Sequence, residues 1–242
     1  MARVPAPLPP VHEDDDFQAA LEIQQRYPVE LAAARGAYGL TQLQMAERIN
    51  TLWTGATADL DRLREAFNRR YGGRWQQLWQ MVPTGPEAPQ GASPADKAVL
   101  VTAYRTARAA VDNEPDGEKL VAMLAEADRF GDEATRRAVL DHLRDEGHLD
   151  PVHAWAAEHI GAAWVDQIAY LTGVLFGATS DAMLAQQAFK ALQRPHEVAS
   201  LTTLRQREEE ARRRHEEQQR RLNPASTRAP APGPGPLGEM GF

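Results

Sequence analysis

The chain has 242 residues, a formal charge of -7 and no cysteine. Missing thiols exclude disulfides, thiolate metal sites and cysteine nucleophiles together, and fit a reducing compartment. The acidic balance excludes a surface that is one continuous nucleic-acid footprint, while 43% apolar and 25% charged residues are proportions that can bury a core.

Residues 1–13 form a proline-rich N-terminal arm. Pro5, Pro7, Pro9 and Pro10 lack the amide donor and fix φ, so no helix forms there. They also interrupt the continuous apolar segment that a secretory signal needs. Val4, Leu8 and Val11 are its apolar anchors, and two readings stand: disorder in the isolated chain, or a strap laid on a neighbour.

An N-terminal helical unit is expected over 14–82. Asp14, Asp15 and Asp16 sit where a helix start offers unpaired amides and the positive end of its dipole. With His12 and Glu13 they make half a cation site at most, since no glycine-bearing loop or spaced oxygen set accompanies them. Helices are expected at 15–26, ended by Pro28, and at 28–35, ended by Gly36. Two more follow at 41–53 and 59–71, the latter stopped by Gly72-Gly73, and a last one at 74–81. That last helix carries Trp75 and Trp79, read as core pins or as a docking surface, since tryptophan is enriched at interface hot spots.

The run GLTQLQMAERIN, with Leu40, Thr41, Gln42 and Ala46, resembles the first helix of a helix-turn-helix DNA-binding unit over about a dozen residues. The resemblance implies duplex binding by residues 40–71, with Arg62, Arg64, Arg69 and Arg70 as phosphate contacts. Where the turn should come, Asn50, Thr51, Leu52 and Trp53 continue the helix instead.

Residues 83–94, PTGPEAPQGASP, read as a linker. A helical core domain at 95–193 follows, as short amphipathic helices with caps and glycine stops. Ser93 caps and Pro94 opens the first, which is expected to bury Val99, Leu100, Ala103, Tyr104, Ala107 and Ala110. Asp132 caps another after Gly131. The most apolar stretch, 157–176, carries Ile160, Trp164, Ile168, Leu171 and Leu175 at helical spacing and is expected to be one central core helix. Asp166, Gln167 and Thr172 make it a poor membrane span. Residues 195–222 form a charged spacer helix, in which Glu208, Glu209 and Glu210 precede Arg212, Arg213 and Arg214 by four, as Glu216 and Glu217 precede Arg220 and Arg221. The tail 223–242 is rich in proline and glycine and ends in the apolar residues Leu237, Met240 and Phe242, a pattern suited to docking on a partner.

The fold expected is therefore all-α: an irregular multi-helix bundle or helix-hairpin array in two units, then a long charged helix and proline-rich tails. No repeat recurs at a fixed period. No serine elbow, phosphate loop or dinucleotide fingerprint is present. His142, His148, His153 and His159 lack one-turn zinc spacing, so no catalytic, cofactor or metal site is expected. The expected role is a non-enzymatic structural or assembly protein bridging other proteins. Candidate partner-binding residues are Trp75, Trp79, Leu237, Met240 and Phe242. Heavy use of Ala, Arg, Gly and Pro points to a GC-rich coding sequence, as in an actinobacterial genome or its phage. That favours a phage-like particle component (connector, scaffold or tail-associated), in the cytoplasm or virion, with a homo-oligomer open; DNA binding through 40–71 is the alternative.

Overall fold

The computed structural model describes residues 3–88 and 91–222, and among these every regular element is helical. After a 3-10 turn at Val11–Glu13 come α1 (Asp15–Arg35), α2 (Gln42–Trp79), α3 (Pro94–Asp112), α4 (Gly117–Phe130), α5 (Glu133–Asp145), α6 (Leu149–His159), α7 (Ala162–Phe176), α8 (Ser180–Ala188) and α9 (His196–Leu222). The all-α class is as the sequence predicts.

Packing divides the chain otherwise than along residues 83–94. One unit comprises Met1–Glu22 and Leu60–Lys190, the other Ile23–Asp59 and Ala191–Phe242. Both α1 and α2 contribute to each, and three expected helix breaks do not occur. Pro28 lies inside α1. A proline there removes a donor and crowds the preceding turn, but Ile23, Tyr27 and Ala34 are buried on either side of it, with Leu31 half-buried on the same stripe. That shared face outweighs the local cost. Gly55, Gly72 and Gly73 likewise lie inside α2, with negative φ, and Leu60, Phe67, Tyr71 and Leu78 keep the buried stripe running.

The larger unit begins with the arm, which is ordered on its own chain rather than free. Val11 is fully buried and its amide donates to the Tyr170 hydroxyl at 3.0 Å. Tyr71 donates to the Pro9 carbonyl at 3.0 Å, Gln167 to that of Pro5 at 2.9 Å, and Arg74 to that of Ala6. A proline-rich segment has few intrachain donors for its carbonyls, so side chains supply them. The aspartates that follow cap α1: Asp14 Oδ1 accepts from the amides of Asp16 and Phe17 at 3.0 and 3.2 Å. Arg70 neutralises them, pairing with Asp14 at 3.1 Å and with Asp16. They form a cap and an ion pair.

Within the same unit α5 packs against α3, α4 and α6, and α7 against α6 and α8. The caps on α3, α4 and α5 are local: Ser93 and Asp132 cap α3 and α5 as read from sequence, the latter after left-handed Gly131, while the Asp96 half of the α3 capping box and Asp116 on α4 are added by the structure. Burial on α3 is not as expected. Only Val111 is buried there, and Val99 is 66% exposed. Polar contacts hold α3 to α5 instead. Arg108 reaches Asp141 and Asp145 at 3.2 Å each, Asp112 meets His142 at 2.9 Å, and the Tyr104 hydroxyl donates to Asp141.

The expected single helix at 157–176 is two. α6 ends at His159, the amides of Ile160 and Gly161 both turn back to the Ala156 carbonyl, and Gly161 takes φ 125° before α7 begins. A positive φ of that size suits glycine. On α7 the buried face is Trp164, Gln167, Ile168, Leu171 and Val174. Trp164 is fully buried, and its indole donates to the Leu78 carbonyl at 2.7 Å. α7 is thus the core helix of this unit, reached by a sharper entry than composition suggests.

The smaller unit packs the end of α1, the start of α2 and the start of α9. Its core is Ala34, Ile49 and Val198, with Leu31, Met45, Leu52 and Trp53 half-buried around them. Thr41 and Gln44 exchange side-chain and backbone bonds at the start of α2, a reciprocal cap.

Candidate interaction surface

α9 has two chemically distinct parts. Its first turn belongs to the core: Val198 is buried, and Glu197 accepts from Arg35 Nε and Nη2 at 2.7 and 3.1 Å. That two-pronged bond holds the Glu197 carboxyl below the usual carboxylate range. Nearby, burial pushes the Tyr27 phenol up. Arg205 then pairs with Glu47 of α2 at 3.0 Å.

From Arg205 to Leu222 every residue is exposed, yet the segment is helical throughout. Such a helix has no apolar face to anchor it and must draw on its own surface pairs. The sequence supplies them. Arg213 pairs with Glu209 at 2.5 Å and Arg214 with Glu210 at 3.2 Å, both at the expected spacing of four. Arg212 departs from the expectation and pairs forward, with Glu216 at 3.5 Å. Each such pair stabilises the helix by about 0.3–0.5 kcal/mol and weakens with salt. Beyond the Arg205–Glu47 pair, α9 presents its side chains to solvent among the described residues, as a rod.

The other expected surfaces are already spoken for inside the larger unit. Trp79 is buried and meets Trp164 edge-on at 5.4 Å, with His153 at 6.1 Å. Trp75 is half-buried, donates to Thr172 at 3.1 Å, and meets Trp79 and Phe176 edge-on. Both tryptophans are core pins. Phe176, 70% exposed, is the part of this aromatic row that faces solvent. Leu237, Met240 and Phe242 lie outside the described residues.

The helix-turn-helix reading requires a turn within 40–71, and none exists: α2 runs unbroken from Gln42 to Trp79. Its arginines are not a free basic face either. Arg70 is held by Asp14 and Asp16, and Arg64 donates to the Phe189 carbonyl at 2.9 Å and pairs with Asp61. Arg62 has partners of its own, and Arg69 is exposed.

Among the described residues no group of histidine and acidic side chains is arranged to hold a metal ion. His142 bonds to Asp112, and His153 packs against Trp79 and Trp164, where burial lowers its pKa. No single described helix is long and apolar enough to cross a membrane; α7 and α8 reach that length only together, across a 44° bend. Comparison with protein-family models, curated proteins and solved structures finds no match to this chain.

Proposed function

We propose that the protein is a non-enzymatic assembly part that bridges other proteins of a multimeric complex, and that the exposed length of α9 is the arm it offers. The observation that carries this reading is the rod itself, exposed at every position from Arg205 to Leu222 and held by its own ion pairs. An unburied helix of this length adds little to the stability of its own unit, so its sequence is free to serve contacts elsewhere. A phage-like particle is the setting that the alanine-, arginine- and proline-rich composition favours.

The test compares the full chain with a version ending at Gln206, which keeps Glu197, Val198 and Arg205. Light scattering and co-sedimentation with particles from the host lysate are measured on both. The expected result is a defined multimer or particle-bound fraction that is lost in the shortened chain. A monomer that enters no particle in either form overturns the proposal.

A further inference from the structure

Between the end of α2 and the helices α5 and α6, the larger unit holds a cavity of about 360 Å3 that the contacts described so far leave unused. Met81, Pro83, Trp155 and Ile160 give it apolar walls, and Arg136 and His159 line it as well. The His159 imidazole stacks on the Trp155 indole, 4.5 Å between centroids and 8° from parallel, so one ring covers a face of the other. Nδ1 of His159 lies 2.9 Å from the Trp155 carbonyl and therefore carries a proton.

One carboxylate serves this whole cluster. Asp128 Oδ2 accepts from the Trp155 indole at 2.8 Å and lies 3.7 Å from His159 Nε2. Its Oδ1 is 3.4 Å from Arg136 Nη1. The guanidinium is thus thinly bonded: Glu133 stands 3.9 Å away, and Nε is buried with no hydrogen-bond partner among the described residues. Among the described residues Arg136 Nη2 has only Glu133, 3.9 Å away, so beside this apolar space it is the donor short of an acceptor, which a carboxylate oxygen can supply.

We infer that this cavity binds a small carboxylate with an apolar body, the carboxylate on Arg136 and the body against the walls of Met81, Pro83, Trp155 and Ile160. The volume lies in the range of small-molecule sites. The charge requirement separates this ligand from a neutral one of equal shape, and the apolar walls separate it from a bare anion.

The experiment titrates the full chain with benzoate, benzamide and inorganic phosphate by calorimetry. Saturable binding of benzoate is expected, roughly ten-fold or more tighter than benzamide or phosphate, because benzamide loses the charge-assisted bond and phosphate loses the apolar contact. Arg136→Gln is expected to weaken benzoate to the level of benzamide. Should that variant misfold, Ile160→Trp, which fills the cavity and leaves the charge, is expected to abolish binding. No heat with benzoate at millimolar concentration, equal affinity for benzamide, or undiminished binding by a folded Arg136→Gln protein each overturns the inference.

Discussion

Replacing Glu197 by glutamine keeps the side chain's size and removes its charge, so it isolates one contact of the smaller unit. Glu197 is 7% exposed and takes both bonds from Arg35, which is 42% exposed. Hydrogen bonds to charged groups contribute about 1.5–3 kcal/mol. Arg35 is exposed enough to rehydrate when released, so the lower part of that range applies, about 1.5–2 kcal/mol. The apolar cluster beside it is small, built on Ala34, Ile49 and Val198. Opening of this unit is therefore expected to rise roughly ten- to thirty-fold. Amide hydrogen exchange reads this directly: amides at 198–204 and 45–53 speed up by that factor, and those of Trp164 to Val174 do not. Acid reproduces the effect in the unaltered chain. Glu197 has a lowered folded pKa, so its contribution is present above the ordinary glutamate value and is lost as pH falls through the folded one. The glutamine variant shows no such slope. Unchanged exchange at 198–204 would refute the assignment of this pair as the clasp of the unit.

Gly55→Ala and Gly73→Ala are each expected to stabilise the protein by about 0.5–1 kcal/mol, since both glycines are helical with open space where a Cβ would go. Denaturant midpoints measure this, and destabilisation would mean that α2 is broken there. Trp164→Ala removes a fully buried indole and its bond to Leu78, and a loss of about 3–5 kcal/mol is expected in urea unfolding. His153 has a folded pKa below its ordinary value, so stability falls as pH drops below about 6.5. His153→Phe is expected to remove that part of the pH slope in thermal melts; Asp150 is the charged neighbour acting on it. Raising salt to about 1 M shortens the screening length to about 3 Å and is expected to speed amide exchange in the α9 rod ahead of every buried helix.

What could be read from the chain alone was what depends on neighbours in sequence. Ser93 and Asp132 bond to amides three residues away, so a short window contains the whole interaction. The Glu209–Arg213 and Glu210–Arg214 pairs of α9 are legible for the same reason. Pro28, Gly55 and Gly72-Gly73 misled because their local cost is real, and only the buried stripes that continue past them show that it is overcome. At Gly161 the error ran the other way: the apolar composition is continuous while the backbone is not. The importance of Glu197 was hidden because its partner lies 162 positions earlier. A faint signal existed in Val198, an apolar residue beside an acid at the head of an otherwise solvated helix. The cavity on Arg136 was invisible, since its walls come from the segment after α2 and from α5 and α6 together.

The clasp between Val11 and Tyr170 spans 159 positions, and that between Arg35 and Glu197 spans 162. On a ribosome adding about 5–20 residues per second, each first partner waits roughly 8–30 s for its second. Through that interval the apolar sides of α1 and α2 have emerged without all of the helices that cover them, so neither unit closes until its second partner has been made. The chain's own order makes its earliest helices clients of whatever shields nascent protein, and slowing translation after α2 would lower the yield of folded molecules more than slowing it within α9.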